Sequence, residues 1–333
     1  MKRLVILLAA CDGGKIVHDA MLPIDAAGGD AGDGDVDAPL ATPIKIADSP
    51  GEPKDIILVD GNAWWTVNKP VPADPQAPGE SGVAYQNQGG QGYISSGTYY
   101  MGELVRDGDD VFVEANYQIQ HLFVSQHGSQ LPSRVFDGAA VGIDRDHIVI
   151  GSRTRPGPVY VCPRTGCDPE PMQLAANQAF PDTVRVYAGT AYWIGGDAQS
   201  YQIYACAVDG CGMVPQALSA TITSGATFEV DTSGLYTYNY GRIMRCSAAG
   251  CTSTPEMIGQ ITNVTGNTTG FALDETYAYG AYGDTIARVR KDCVVGTSCT
   301  LETIARMPDV GPLAVDGNFV YFATKDAIYK LPK

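Results

Sequence analysis

A unit of about 40 residues recurs seven times along this chain of 333 residues and limits what the chain can fold into. Each copy has an apolar segment that commonly ends in Val-Asp, followed by a second segment with an aromatic residue near its centre. The copies are DIILVDGNAWWTV, GELVRDGDDVFVE, AAVGIDRDHIVIG, TVRVYAGTAYWIG, TFEVDTSGLYTYN, GFALDETYAYGAY and GPLAVDGNFVYFA. Each apolar segment alternates with the period of a β-strand, as in NFVYFA.

One position in each copy, here called the anchor, fixes the alignment of the repeat. The anchors are Asp60, Asp107, Asp144, Tyr187, Asp231, Asp274 and Asp316. Five residues later stand Trp65, Phe112, Val149, Tyr192, Tyr236, Tyr279 and Tyr321, so six of seven positions are aromatic. Anchors are 37 to 47 residues apart, close to the length of a four-stranded propeller blade. We therefore predict an all-β, seven-bladed β-propeller over residues 41–333.

The seventh unit lacks a fourth strand, because the chain ends after AIYKLPK. The segment ATPIKIA at residues 41–47 has the pattern of the missing strand. We predict that this N-terminal strand completes the last blade and closes the ring, which removes exposed sheet edges.

The N-terminus, MKRLVILLAAC, places two basic residues before an apolar run and a Cys, as in an export signal. We predict a signal peptide at residues 1–10 and lipidation of Cys11. A plain N-terminal tail with a chance cysteine is the alternative. Ten residues is shorter than an ordinary signal, which leaves open a start codon upstream of Met1. Residues 11–40, rich in Asp, Gly and Ala, are predicted to be a disordered tether rather than a calcium loop, since the EF-hand spacing is absent.

Short cysteine-bracketed loops recur between the predicted third and fourth strands of four units. Their cysteines pair as Cys162 with Cys167, Cys206 with Cys211, Cys246 with Cys251, and Cys293 with Cys299. We predict that each pair is a disulfide across a hairpin turn, because facing strand residues come close enough there. Zinc, which prefers C-x2-C pairs, and haem, which needs C-x-x-C-H, are the alternatives.

These features together resemble the secreted β-propeller lipoproteins of myxobacteria and related bacteria. The resemblance lies in LAAC, the Asp/Gly/Ala tether, and Val-Asp blades with cysteine-bracketed hairpins. It implies an exported protein that is lipid-anchored to the bacterial cell envelope, at the outer membrane or periplasmic face, with the leaflet left open. It implies no particular activity.

The connections between second and third strands are the expected ligand face, because they surround one mouth of the central channel. Its candidate residues are Tyr117, His121, Arg153, Arg155, Tyr201, Tyr240, Tyr282, Asp284 and Lys325. Tyr and Arg favour recognition of an envelope protein or a glycan over proton transfer. A solvated rim without a ligand is the alternative.

The net charge of −15 excludes nucleic acid as the main partner, and the membrane is expected to be reached through the lipid anchor only. No catalytic motif, metal-ligand spacing or cofactor motif is present, so we expect no catalytic residue, no metal and no cofactor. The sequence predicts a monomeric, non-catalytic scaffold or adhesion module that binds an envelope partner. A carbohydrate-binding propeller is the first alternative, and a lyase or hydrolase that uses His121 is the second.

Overall fold

A computed structural model describes residues 40–70, 80–98, 100–124, 133–167, 170–179, 181, 183–197, 200–218, 222, 225–247, 250, 255–262 and 268–333. The predicted signal peptide, Cys11 and the tether up to residue 39 lie outside these residues. The regular structure in the described part of the chain is β-strand, with no helix that could cross a membrane.

The strands form antiparallel sheets of four, one for each repeat, as predicted. Blade 1 contains β2 (Glu52–Val59), β3 (Asn62–Asn68), β4 (Ser81–Asn87) and β5 (Gly90–Thr98). Blade 2 contains β6 (Met101–Asp107), β7 (Asp110–Ala115), β8 (Gln118–Phe123) and β9 (Ser133–Asp137). Blade 3 contains β10 (Ala140–Ile143), β11 (His147–Gly151), β12 (Gly157–Pro163) and β13 (Met172–Gln178).

The other blades follow the same order from the innermost to the outermost strand. Blade 4 contains β14 (Val184–Tyr187), β15 (Thr190–Asp197), β16 (Ser200–Ala207) and β17 (Gln216–Ala217). Blade 5 contains β18 (Thr227–Asp231), β19 (Gly234–Asn239), β20 (Arg242–Cys246) and β21 (Glu256–Gln260). Blade 6 contains β22 (Thr268–Leu273), β23 (Tyr277–Tyr282), β24 (Thr285–Arg290) and β25 (Glu302–Arg306). Blade 7 contains β26 (Leu313–Val315), β27 (Phe319–Ala323), β28 (Ala327–Pro332) and β1 (Ile44–Asp48).

The ring closes as the sequence predicts. Strand β1 pairs antiparallel with β28, with Ile44 opposite Lys330 and Asp48 opposite Ala327. Each innermost strand contacts the innermost strand of the next blade, and β26 contacts β2. The N-terminal strand therefore occupies the outer position of blade 7 and joins the two ends of the repeat array.

The spacing of five between anchor and aromatic residue has a local cause. The anchor side chain caps the turn between the first two strands, so that Asp274 Oδ1 accepts the N–H groups of Thr276 and Tyr277. Its other oxygen accepts the hydroxyl of Tyr279 at 2.8 Å. Asp316 and Tyr321 repeat the pair at 3.1 Å. In blades 6 and 7 the aromatic ring is thus buried while its hydroxyl donates to its own anchor, whereas the Tyr236 hydroxyl of blade 5 contacts Ser233.

Anchors also join successive blades. A basic residue just beyond the third strand of one blade pairs with the anchor of the preceding blade in three places. These pairs are Arg164 with Asp107, Lys291 with Asp231, and Lys333 with Asp274. Lys291 is buried, so Asp231 gives its desolvated ammonium group an ionic partner.

The core lies between blades. Among the described residues, seven hydrophobic clusters each combine side chains of two successive blades. The three tryptophans, Trp64, Trp65 and Trp193, are all buried in these clusters. Each blade is consequently stable only against its neighbours, as in other stacked repeats.

Three of the predicted disulfides are present at the hairpin turns. They join Cys162 to Cys167, Cys206 to Cys211 and Cys293 to Cys299, with Cα–Cα distances of 4.9, 5.5 and 4.9 Å. Cys246 is also disulfide-bonded, and its predicted partner Cys251 lies outside the described residues. Gly166 and Gly210, before the second cysteine, have positive φ angles of 123° and 115°, which glycine adopts readily.

Candidate functional site

The two ends of the blades carry different structures. One end, here called the channel face, holds the connections between second and third strands and the starts of the innermost strands. The other end, the hairpin face, holds the disulfide-bonded turns. On the channel face of blade 2, for example, Met101 at the start of β6 lies opposite Ala115 at the end of β7.

Most of the predicted ligand-face residues lie on the channel face. Tyr117 and Tyr240 are about half exposed, at 49% and 56% of their surface. Arg153, Arg155, Asp284 and Lys325 are exposed in the connections, whereas Tyr201 and Tyr282 are partly buried at strand ends. The structure brings two of these connections into contact, because a Cβ atom at Gly241, next to Tyr240, would lie 3.1 Å from the Tyr282 ring.

His121 lies elsewhere. It is the fourth residue of β8, not part of a connection, and its ring stacks on Phe112 at 4.4 Å. Its Nε2 is 2.7 Å from Asp110 Oδ1, and Asp110 also accepts a hydrogen bond from Arg164. This group faces the hairpin side of blade 2, so the structure does not bring His121 to the channel mouth.

A cavity of about 350 Å³ opens at the centre of the channel face. It is lined by the starts of the innermost strands, by the Tyr100 that precedes β6, and by Glu114 near the end of β7. Charged side chains line much of its wall. They are Lys54, Asp55, Glu103, Glu114, Arg185 and Glu229.

Arg185 spans the channel below this mouth. From β14 it donates to Glu103 of blade 2, and its Nε and Nη2 atoms donate to Glu229 Oε1 of blade 5 at 2.9 and 2.8 Å. Desolvation lowers the pKa of Arg185, but the two carboxylates outweigh this and raise it well above its ordinary value. Arg185 therefore stays charged and links three blades through the channel.

Glu114 is the most enclosed acid in the cavity wall, with 2% of its surface exposed. Its Oε1 accepts the backbone N–H of Tyr117 at 2.6 Å. No described residue donates a hydrogen bond to Oε2, which packs so close to Gly102 that a Cβ there would lie 2.1 Å away. Asn116 and Tyr117 both have positive φ, at 51° and 64°, which is uncommon for Tyr and brings its N–H to the carboxylate.

Asp55 and Glu103 complete the acidic wall from positions where the strand ladder is irregular. The register of β2 on β3 shifts between Pro53 and Ile56, and that of β6 on β7 shifts between Met101 and Leu104. Such bulges redirect side chains. Asp55 accepts the N–H groups of Ile56 at 2.8 Å and Leu104 at 2.7 Å, which ties blade 1 to blade 2.

The cavity favours the protonated form of these acids. Desolvation by burial raises the pKa of Asp55 to about 7, and the neighbouring Glu103 charge contributes. Burial likewise raises the pKa of Glu114 to about 7. The pKa of Glu103 is also raised, although Arg185 opposes the change. Asp55 and Glu114, each with a pKa of about 7, thus lie beside the paired Arg185. Such a site can release protons when it binds a cation.

Sequence reasoning did not single out these acids. One signal was available, because Arg185 and Glu229 both stand two residues before their anchors. The other blades have Leu58, Val105, Gly142, Ala272 and Ala314 at this position. A charged pair within otherwise apolar innermost strands indicates a channel ion pair. The bulges that carry Asp55 and Glu103 leave no comparable mark on the sequence.

The hairpin cysteines and histidines described above do not form a metal centre. Within the described ranges, no group of three or more His, Cys, Asp or Glu side chains is arranged to hold a metal ion.

Comparisons with known proteins identify the fold. Neither a family model nor a curated protein sequence matches the chain. It is similar to the extracellular domain of a hybrid two-component system from B. thetaiotaomicron, with a TM-score of 0.62 and 9% identity over 87% of this chain and 39% of that one. The AfRom2 CNH domain gives a TM-score of 0.56 and 11% identity, covering 88% and 99% of the two chains.

BamB from Moraxella catarrhalis gives a TM-score of 0.50 and 13% identity, covering 88% of this chain and 96% of that one. The disulfides of this chain are compatible with export. At such low identities the likeness establishes the architecture alone, and the chain is a seven-bladed β-propeller.

Proposed function

We propose that this chain is a non-catalytic binding propeller of the bacterial cell envelope, lipid-anchored through Cys11, which captures a cationic group of a protein partner at the mouth of its channel. The observation that carries the proposal is the buried Glu114 carboxylate in the cavity wall. One of its oxygens is held by the Tyr117 N–H, and the other accepts no hydrogen bond from the described residues.

Charge complementarity favours a cation. Four carboxyl groups line the cavity, and Arg185 pairs with only two of them, Glu103 and Glu229. Asp55 and Glu114 have no basic partner among their described hydrogen bonds. A lysine ammonium or an arginine guanidinium from a partner would supply the missing charge, as Arg185 does within the channel.

The surrounding surface suits a protein partner. Tyr100, Tyr117 and Tyr240 are exposed on the channel face, and Tyr supplies large contact area with a polar tip at interfaces. The three tryptophans are buried and cannot stack against a sugar ring. Binding of a carbohydrate would therefore depend on these tyrosines.

Calorimetric titration with tri-lysine and tri-arginine, and with tri-glutamate as the charge-reversed probe, tests the cavity. We expect the basic peptides to bind with proton release near pH 7. Glu114→Gln should weaken that binding about tenfold. Asp209→Asn, in the exposed hairpin turn of blade 4, is the matched control and should leave it unchanged. Equal binding by both variants contradicts the proposal.

A photo-crosslinking residue placed at Tyr117 or Tyr240 in intact cells tests the partner. We expect a reproducible protein adduct from these positions and none from His147, which is remote from the channel mouth. Absence of any protein adduct, with basic peptides still bound in solution, would replace the protein partner by a small cationic ligand.

A second candidate function, acid–base catalysis, is favoured by the pKa values of about 7 for Asp55 and Glu114. Turnover of an ester, lactone or glycoside that disappears in Glu114→Gln with intact folding would establish it.

A further inference from the structure

Apart from Leu40, which precedes β1, the exposed large hydrophobic side chains of the described residues are segregated between the two faces of the ring. Those on the channel face are tyrosines, namely Tyr100, Tyr117 and Tyr240. Those at the hairpin end are aliphatic, namely Ile44, Met172, Met213, Val214, Met257, Val294 and Val295. The exposed large hydrophobic residues of the channel face are thus tyrosines, whereas those of the hairpin end are aliphatic and stand among charged residues such as Asp209 and Asp292.

Two hairpins carry the most exposed of these side chains. Met213 and Val214 follow the Cys206–Cys211 disulfide, and 77% of the Val214 surface is exposed. Val294 and Val295 lie inside the loop closed by Cys293 and Cys299. Neither tip, residues 211–215 or 293–299, contains a charged residue. A disulfide constrains each of the two hairpins, and the four side chains stay exposed beside or within it.

The chain enters the propeller at the same end. Ile44 at the start of β1 lies opposite Lys330, near the end of β28, whereas Asp48 lies opposite Ala327, next to the channel-face connection. Ile44 is itself exposed. Residues 40–43, the described residues that precede β1, therefore join the propeller at the hairpin end.

We propose that the hairpin face rests on a lipid bilayer, with the tips at Met213–Val214 and Val294–Val295 inserted at its surface and the channel mouth directed away from the membrane. The exposed apolar side chains stand on separate blades, and the two principal tips belong to blades 4 and 6. A protein interface requires a continuous buried core, whereas a bilayer accepts separate projections that reach one plane. The anionic chain fits a zwitterionic rather than an anionic surface.

This inference is independent of the cationic ligand. It concerns the other face of the ring and requires only that the N-terminal segment brings the chain to a membrane.

Site-specific fluorescence tests the orientation. The full chain, with its natural N-terminus, is reconstituted on phosphatidylcholine vesicles that contain bromine-labelled acyl chains, which quench nearby tryptophan. Val214→Trp and Val295→Trp place a reporter on each tip, and Tyr117→Trp and Tyr240→Trp are matched controls on the channel face. The buried native tryptophans provide a common background. We expect the excess quenching at the tips to be about threefold that of the controls.

A pair of charge variants tests whether the tips cause the contact. The double variant Val214→Asp, Val295→Asp should abolish this orientation and reduce vesicle flotation, whereas Tyr117→Asp, Tyr240→Asp should change neither. Folding of each variant is checked by thiol titration and circular dichroism. Equal quenching on the two faces overturns the proposal. It is equally overturned if the tip variants convert a dimer to a monomer without changing vesicle binding, because the face would then be an interface between copies.

Discussion

Arg185 of blade 4 is paired with Glu103 of blade 2, so two innermost strands that are not neighbours in the ring are joined through the channel. Glu229 of blade 5 accepts two further hydrogen bonds from the same guanidinium. A propeller otherwise depends on contacts between successive blades, and this ion-pair bridge adds a link across the ring.

Arg185→Met should destabilise the protein by about 3–5 kcal/mol at pH 7, because it leaves two largely enclosed carboxylates without their partner. The loss should diminish at acidic pH, because the pKa of Glu103 is raised and its carboxylate becomes protonated there. Chemical denaturation at pH 5 and pH 8 measures both effects. The triple variant that adds Glu103→Gln and Glu229→Gln should recover much of the stability. A triple variant no better than Arg185→Met would contradict the ion-pair bridge.

Glu114 should make stability depend on pH in the direction opposite to that of a salt-bridged acid. Its pKa is raised from 4.5 to about 7, so the folded state keeps a proton that the unfolded chain releases. The free energy of unfolding should therefore fall as pH rises from about 4.5 to 7, by about 3 kcal/mol, and level off above pH 7. Glu114→Gln should remove the Glu114 contribution and leave the slope that the raised pKa of Asp55 causes, whereas Asp209→Asn should leave the whole curve unchanged.

Deletion of residues 41–47 should destabilise the ring by more than about 5 kcal/mol, which is comparable with the whole stability of many domains. The deletion removes the partner of β28 and the buried Ala47 and exposes an edge strand. Deletion of residues 12–38 is the control and should change the melting temperature little. Equal effects of the two deletions would mean that the closing strand is not needed.

Each hairpin disulfide should contribute only modestly to the free energy of unfolding. Denatured but unreduced protein should show no free thiol at Cys162, Cys167, Cys206, Cys211, Cys293 or Cys299. Replacing Cys206 and Cys211 with Ser should lower the free energy of unfolding by about 2 kcal/mol, because the loop that their disulfide closes is short. Labelling of any of these cysteines by a thiol reagent before reduction would contradict the assignment.

Two tyrosines that differ in one contact offer a matched pair. Tyr279→Phe should cost about 1 kcal/mol, because its hydroxyl donates to Asp274. Tyr238→Phe should be neutral or stabilising, because its buried hydroxyl has no hydrogen-bond partner in the described structure. Urea denaturation distinguishes them, and a similar loss in both variants would show that the anchor contact contributes nothing specific.

The amino-acid sequence determined the architecture of this protein. The period of the repeat, the aromatic residue five positions after each anchor and the truncated seventh unit predicted the blades and their closure, because strand alternation and turn chemistry are local. The same holds for the cysteine pairs, whose partners are five or six residues apart. The sequence could also place most of the channel-face connections, since each follows its own second strand.

The tertiary structure alone decided where the charges meet. Glu103 and Arg185 are 82 residues apart, and Asp55 and Glu103 reach the cavity through bulges that interrupt the strand period. His121 lies toward the hairpin end of blade 2 for a local reason, because the connection before it is only two residues long and β8 already begins at Gln118. Local pattern fixes which strand a residue belongs to, but closure of the ring determines which side chains share one desolvated space.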